Sequence, residues 1–338
     1  MIDKDQWNGI AVFIEQDEGS IEDISLELLG KGRELANKGN TELMAILLGH
    51  EIGGLAQELI ERGADKVILA DHPLLDHYKW ETYTKIGEEI INTYMPSSLI
   101  MGATANGRDL AGRLAVRLKT GLTADVIELD IEDDLLLGSV PGFGGSVVAI
   151  IKCEDARPQM ATVRPGIFSI QPRDQNRSGD IEDFKVELKD NDVSTKLVRK
   201  IKLDLEDISK AKRLVAAGRG IGSHLDVAQE IADLLNGELG VTRPLCDMGL
   251  LPRNYQIGST GVTVKPDIAL VLGASGAMHF TSGINDSDTI IGVNMDESAP
   301  IFKDSDYVVV ADLNELLPVL LEKLKQKLEV RGMKEEQF

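Results

Sequence analysis

The feature that most constrains this chain is a repeating rhythm of short, β-branched apolar runs separated by longer amphipathic stretches. The first run is Ile10 to Ile14, followed by a helical pattern through Leu35, a run at Leu43 to Leu48, a helical pattern to Ile60 and a run at Lys66 to Leu69. Short apolar runs have the length of buried strands, and the helices between them act as crossovers, so the rhythm predicts βαβαβ and a parallel sheet. A third helix is expected from Lys79 to Tyr94, then a strand at Ser98 to Met101 and a loop from Gly102 to Asp109. After Gly121 the texture becomes strand-like at Asp134 to Leu137 and Val147 to Lys152, with a turn over Gly142 to Gly145, and antiparallel members are expected to join the sheet there. Residues 171 to 196 are polar, with Gln171 to Arg177 as a loop and Phe184 to Leu188 as a candidate strand.

The rhythm restarts after residue 200, at Arg213 to Ala217, Leu239 to Val241, Ile268 to Leu272, Thr289 to Val293 and Tyr307 to Val310. The fold class expected is α/β in two domains, each with a mainly parallel sheet flanked by helices, the C-terminal one doubly wound. The boundaries expected are 1–200, 201–330 and a tail at 331–338. Two domains also suit a length of 338 residues.

Acidic residues outnumber basic ones 56 to 36, a formal charge of −20. Such a surface repels polyphosphate backbones and anionic lipid, which argues against nucleic acid and membrane as partners. No stretch approaches the roughly 18 uninterrupted apolar residues of a spanning helix, and the charged N-terminus lacks a signal-peptide pattern, so a cytoplasmic protein is expected. Cys153 and Cys246 stand alone, and the five histidines form no ligand set, so no metal site is expected.

In an open α/β sheet, ligands bind beyond the carboxyl ends of the strands. The second-half strands end in Gly218-Arg219-Gly220-Ile221-Gly222-Ser223, Thr242-Arg243, Gly273-Ala274-Ser275-Gly276-Ala277, Asn294 and Asp312. Glycines permit close approach of backbone to a pyrophosphate, arginines add charge-assisted bonds, and Ser223 and Ser275 are expected to stand where helices begin. Each feature has a bland reading as a tight turn, a surface arginine or a helix cap. Their convergence points to an anionic nucleotide. The dinucleotide fingerprint is broken, because Ser223 replaces the third glycine and no acidic residue ends the next strand, which disfavours a free-standing NAD-dependent dehydrogenase. A Gly- and hydroxyl-rich segment from Leu251 to Gly261 fits either a ligand loop or an ordinary crossover.

The series GRGIGS, VTRPLCDMGLLPRNYQIGSTGVTVKPDIALVLGASGA and IIGVNMDESAPIFKDSDYVVVADL resembles, in order and spacing, the α subunit of electron-transfer flavoproteins. SLIMGATANGRDLAGRLAVRLKTGLTADVIELD in the first half resembles that family's first-domain signature. The resemblance implies FAD in the second domain and a β subunit paired with the first. It implies a pyrophosphate-side role for Arg219, in one loop with Gly220, and a Thr242-Arg243 pair whose arginine lies by the isoalloxazine. Thr260 matches a donor near the flavin N5, with Gln256, Ile257, Gly258 and Gly261 completing its loop. Ser259 departs from the family's glutamine. Ser275, Gly276 and Ala277 match a helix start beside the cofactor, and Asn294 and Asp312, with Leu313 next to it, match adenosine-side positions. A second departure is His279-Phe280, where the family carries Gln-His: either His279 substitutes from one position earlier or that contact to the flavin is lost.

The expected function is therefore an electron carrier without acid-base machinery of its own. By resemblance its partners are the β subunit and an acyl-CoA dehydrogenase or similar flavin dehydrogenase. Some relatives bifurcate electrons from NADH, which would add ferredoxin or flavodoxin. The competing reading is a redox-inactive subunit that binds an adenine nucleotide for regulation or scaffolding.

Overall fold

The computed structural model describes residues 4–142, 147–200 and 207–335. The chain divides into two compact units, Met1–Lys200 and Ile201–Phe338. In the first, strands β1 (Ile10–Ile14), β2 (Gln16–Asp17), β3 (Ser20–Ile21), β4 (Leu43–Gly49), β5 (Lys66–Asp71) and β6 (Ser98–Gly102) alternate with helices α1 (Asp23–Gly39), α2 (Ala56–Glu61) and α3 (Trp80–Tyr94). Helix α4 (Ala105–Leu118) follows, then β7 (Leu122–Val126), β8 (Glu128–Glu132), β9 (Leu135–Gly142), β10 (Val147–Ile151), β11 (Gln159–Val163) and β12 (Asp180–Asp183). Seven strands form one sheet in the order β12-β5-β4-β1-β6-β11-β7, and every neighbouring pair is parallel.

The sheet is covered on both faces, which is why β1 and β4 at its centre carry no polar side chain. Alternate residues of β1 feed opposite cores. Ile10, Val12 and Ile14 share one with Leu28 and Leu35 of α1 and Leu59 of α2, while Ala11 and Phe13 share the other with Ile86 and Ile90 of α3 and Leu110 and Leu114 of α4.

Three local expectations are corrected. The antiparallel strands do not join the main sheet. They form their own sheet, β10-β9-β8, while β11 pairs in parallel with β6 and β7. The loop expected from Gly102 to Asp109 contains the start of α4: the Thr104 hydroxyl accepts from the Gly107 amide at 2.9 Å and caps the helix. Near residue 184 the paired strand is Asp180–Asp183, while Phe184, Val186 and Leu188 pack on the core beyond it. Of the turn expected at Gly142 to Gly145, residues 143–145 lie outside the described residues.

The second unit has β13 (Arg213–Ala217), α5 (Leu225–Leu234), β14 (Glu238–Val241), α6 (Arg243–Asp247), β15 (Ile268–Leu272), α7 (Met278–Thr281), β16 (Ile290–Asn294), β17 (Tyr307–Val310) and α8 (Leu313–Glu335). Its sheet is parallel throughout, in the order β14-β13-β15-β16-β17. That order is doubly wound, with its winding reversed between β13 and β15. Leu214 and Ala216 face one core, with Ile257 and Phe280. Val215 and Ala217 face the other, with Ile231 of α5 and Leu317 of α8. The tail expected from residue 331 is helical as far as Glu335, as a continuation of α8. Among the described residues no helix is long and apolar enough to cross a membrane.

In the first unit the winding reverses between β1 and β6, and Glu15 sits there. Its Oε2 accepts from the Thr104 hydroxyl at 2.6 Å, while its Oε1 is buried without a hydrogen-bond partner. Desolvation outweighs the Thr104 bond and raises the Glu15 pKa above its ordinary value of 4.5. A carboxyl with a raised native pKa binds its proton more tightly folded than unfolded, so it subtracts stability as pH rises above the unfolded value. Glu15→Gln is therefore expected to raise the melting temperature at pH 7, with the gain fading as pH falls toward 4. Circular dichroism melts across that range check it, and a lower melting temperature at pH 7 would refute it.

Candidate functional site

The loops after β13 and β15 are pressed together at the reversal point. The Gly220 amide donates to the Gly273 carbonyl at 2.9 Å, and the Gly218 amide to the Leu272 carbonyl at 2.8 Å. A Cβ at Gly218 would lie 2.3 Å from the Ala274 Cα, so only glycine allows the two chains to come this close. Neighbouring loops are tied in: Asn294 Nδ2 donates to the Ala274 carbonyl at 2.9 Å, and the Ile257 amide to the Val241 carbonyl at 2.9 Å.

These loops enclose a cleft of about 680 Å³, within the ~300–1,000 Å³ typical of small-molecule sites. Of the residues named from the sequence, Arg219, Gly220, Thr242, Arg243, Gln256, Ile257, Thr260, Ser275, Gly276, Ala277, His279 and Asn294 line it. Gly258, Ser259, Gly261, Asp312 and Leu313 are not part of the lining. Gly258, Ser259 and Gly261 shape the loop that presents Thr260: the Ser259 amide bonds the His279 carbonyl at 2.8 Å and the Gly261 amide the Gly258 carbonyl at 2.9 Å. Asp312 accepts from the Asn314 amide at 2.8 Å at the start of α8, and Leu313 is buried in the core beneath the sheet. Pro244, Gly273, Ala274 and Phe280 line the cleft without having been named as binding residues. Gly273 and Ala274 were visible as part of the loop after a strand. Pro244 and Phe280 carry no polar signal that could have marked them.

Neither serine stands where it was expected. His224 precedes α5, one residue after Ser223. Ala277 precedes α7, which spans only four residues. Attraction for an anion therefore rests on side chains more than on a helix dipole. Arg219 and Arg243 supply two cations, Thr242, Thr260 and Ser275 supply hydroxyls, and among the described residues no carboxylate lines the cleft. The first unit's crevice, of about 500 Å³, has the opposite chemistry, with Glu15, Asp17, Glu18, Glu22 and Asp76 in its wall. Lys200 and His77 are also in that wall, but carboxylates outnumber them, so the two walls differ in the sign of their charge.

His279 and Ser259, the two departures noted in the sequence, are in contact. The Ser259 hydroxyl lies 3.1 Å from His279 Nδ1, which leaves Nε2 available on the ring's other side. Phe280 offers only its apolar ring to the cleft and is otherwise packed in the core. Among the described residues no cluster of His, Cys, Asp and Glu could hold a metal ion.

Fold and cleft together define a two-unit α/β protein whose second unit carries a cationic, doubly wound switch-point site. The model of the electron transfer flavoprotein domain matches residues 10–189, and that of the electron transfer flavoprotein FAD-binding domain matches residues 207–285. The chain is 43% identical over 332 residues to the electron transfer flavoprotein subunit alpha of Clostridium acetobutylicum, covering 96% of this chain and 99% of that one. It is 37% identical over 357 residues to the acryloyl-CoA reductase electron transfer subunit beta of Anaerotignum propionicum, covering 96% and 97%. It is 39% identical over 324 residues to the lactate dehydrogenase (NAD(+),ferredoxin) subunit LctC of Acetobacterium woodii, covering 95% and 78%. The chain belongs to the electron-transfer flavoprotein α-subunit family.

Gly276 has φ +81°, and a Cβ there would lie 2.1 Å from the Ile301 amide nitrogen. Gly276→Ala is expected to destabilise the second unit by at least about 1–2 kcal/mol from the left-handed backbone alone. Urea unfolding read by circular dichroism checks this, and an unchanged midpoint would show that the loop relaxes freely.

Proposed function

We propose that this chain holds FAD in the cleft of residues 201–330, pairs through residues 1–200 with a β subunit, and carries single electrons between a flavin dehydrogenase and a further redox partner. The observation that carries the reading is the cleft's donor set: Arg219, Arg243 and three hydroxyls converge at a doubly wound switch point, with no carboxylate in the wall among the described residues. This chemistry fits the pyrophosphate of FAD and a ring system that gains negative charge on reduction. The description of the second matched domain as FAD-binding supports it.

FAD, when bound, supplies one-electron chemistry. The protein's own contribution is to bind and orient. Arg219 and Gly220 at the tip of the β13 loop suit the pyrophosphate, and Asn294 and Ser275 the nucleotide end. Arg243 and Thr260 suit the ring. Two unit charges about 4 Å apart interact by ~1 kcal/mol in water and ~4 kcal/mol at an effective dielectric constant near 20. The Arg243 side chain is 61% exposed, so its effect belongs near the lower figure.

The names of two relatives bear on the partners. One is an electron transfer subunit of an acryloyl-CoA reductase, the other a subunit of a lactate dehydrogenase (NAD(+),ferredoxin). They support a flavin dehydrogenase as one partner and make ferredoxin a candidate for the other, in a bifurcating complex.

Purified with its β subunit, the protein is expected to show flavin absorbance and to be reduced in two one-electron steps. A flavin count of one or two per heterodimer separates a simple carrier from a bifurcating one. Arg243→Ala is expected to weaken FAD binding about five-fold, equivalent to ~1 kcal/mol, and to lower the flavin midpoint potential. A colourless protein that takes up adenine nucleotide but not FAD would favour the regulatory reading instead.

A further inference from the structure

Two residues outside the cleft connect two of its donors. Helix α6 begins at Arg243, and Asp247 lies one turn on, on the same face. Asp247 Oδ2 accepts from Arg243 Nε at 3.2 Å, and Asp247 Oδ1 accepts from Arg253 Nη2 at 2.9 Å. Arg253 Nη1 donates to Gln256 Oε1 at 3.4 Å, and Gln256 Nε2 donates to Thr260 Oγ1 at 2.9 Å. The chain thus runs from one wall of the cleft to the other by way of Asp247 and Arg253 behind the lining and of Gln256 within it.

We propose that Asp247 and Arg253 are positioning residues that fix which protons Arg243 and Thr260 present to the cofactor; the proposal rests on the FAD reading above. The polarity of the chain allows one arrangement. A carboxylate only accepts and a guanidinium only donates. Asp247 therefore engages Arg243 through Nε and leaves both Nη groups for the cleft. The Arg253 guanidinium favours the Gln256 carboxamide orientation that sets its oxygen toward Arg253 and its NH₂ toward Thr260. Gln256 is 1% exposed, so no bulk solvent competes for that orientation. Thr260 must then accept from Gln256, and its own hydroxyl hydrogen is left to donate into the cleft. Both ends of the chain present donors, which strengthen as negative charge develops on the ligand.

The test uses the full chain, with FAD dissociation constant and flavin midpoint potential as readouts. Asp247→Ala is expected to weaken FAD binding about two- to five-fold, the scale of an exposed ion pair, and to lower the potential. Asp247→Glu is expected to restore both. In an Arg243→Ala background Asp247→Ala should give no further lowering. Arg253→Met should lower the potential, but not in a Thr260→Val background.

The sign of the shift is decisive. If Asp247 acted only as a nearby negative charge, its removal would raise the potential in either background, and that result overturns the proposal. An unchanged potential in both Asp247→Ala and the shape-preserving Asp247→Asn overturns it too. FAD binding by the wild type with unresponsive variants sinks only the positioning role, whereas a wild-type chain that binds no FAD sinks it together with the cofactor reading.

Discussion

Everything in the second unit depends on how closely two loops approach where the sheet changes its winding. Strands β13 and β15 are hydrogen-bonded neighbours whose crossovers leave on opposite sides, so a crevice opens above the point where the loops at their carboxyl ends meet. The bonds from Gly218 to Leu272 and from Gly220 to Gly273 hold the floor of that crevice closed. With the floor fixed, Arg219 is presented from one loop, Ser275 and Gly276 from the other, and Asn294 is drawn in through its bond to Ala274. The side chains supply charge, but the backbone contact decides where that charge stands.

The two units show that topology alone does not make an anion site. Each has a parallel sheet with a winding reversal and a crevice above it. In the first, the wall is acidic, and Glu15 takes the bond offered by Thr104 at the start of α4. In the second, the wall holds two arginines and no carboxylate among the described residues. A chain of net charge −20 has thus gathered positive charge where it can serve a ligand while remaining repulsive to polyanions over its surface.

Most of the architecture was legible because buried parallel strands write continuous apolar runs. Nearly all the expected strands of both sheets occur within a residue or two of their predicted ends. The misses differ in cause. The start of α4 was hidden by Asn106 and Gly107, which read as loop until the Thr104 cap is seen. The placement of β8, β9 and β10 in a separate sheet depends on which strand edges are free, a property of the assembled sheet that no local pattern carries. Strand β12 is a polar edge strand, exposed along its length, and so lacks the apolar signature.

For the site, the sequence determined the chemistry of the loops: which positions carry glycine, arginine and hydroxyl, and that they follow strands. It determined membership of the family as well, because those residues recur in a fixed order. Only the tertiary structure decided which of them share a wall. It turned Leu313 into the core, gave Asp312 to the start of α8, and set Ser259 against His279. It also joined Arg243 to Thr260 through Asp247, Arg253 and Gln256. The physical reason is that residue type fixes what a group can donate or accept, whereas its partner is fixed by distances set where separate crossovers meet.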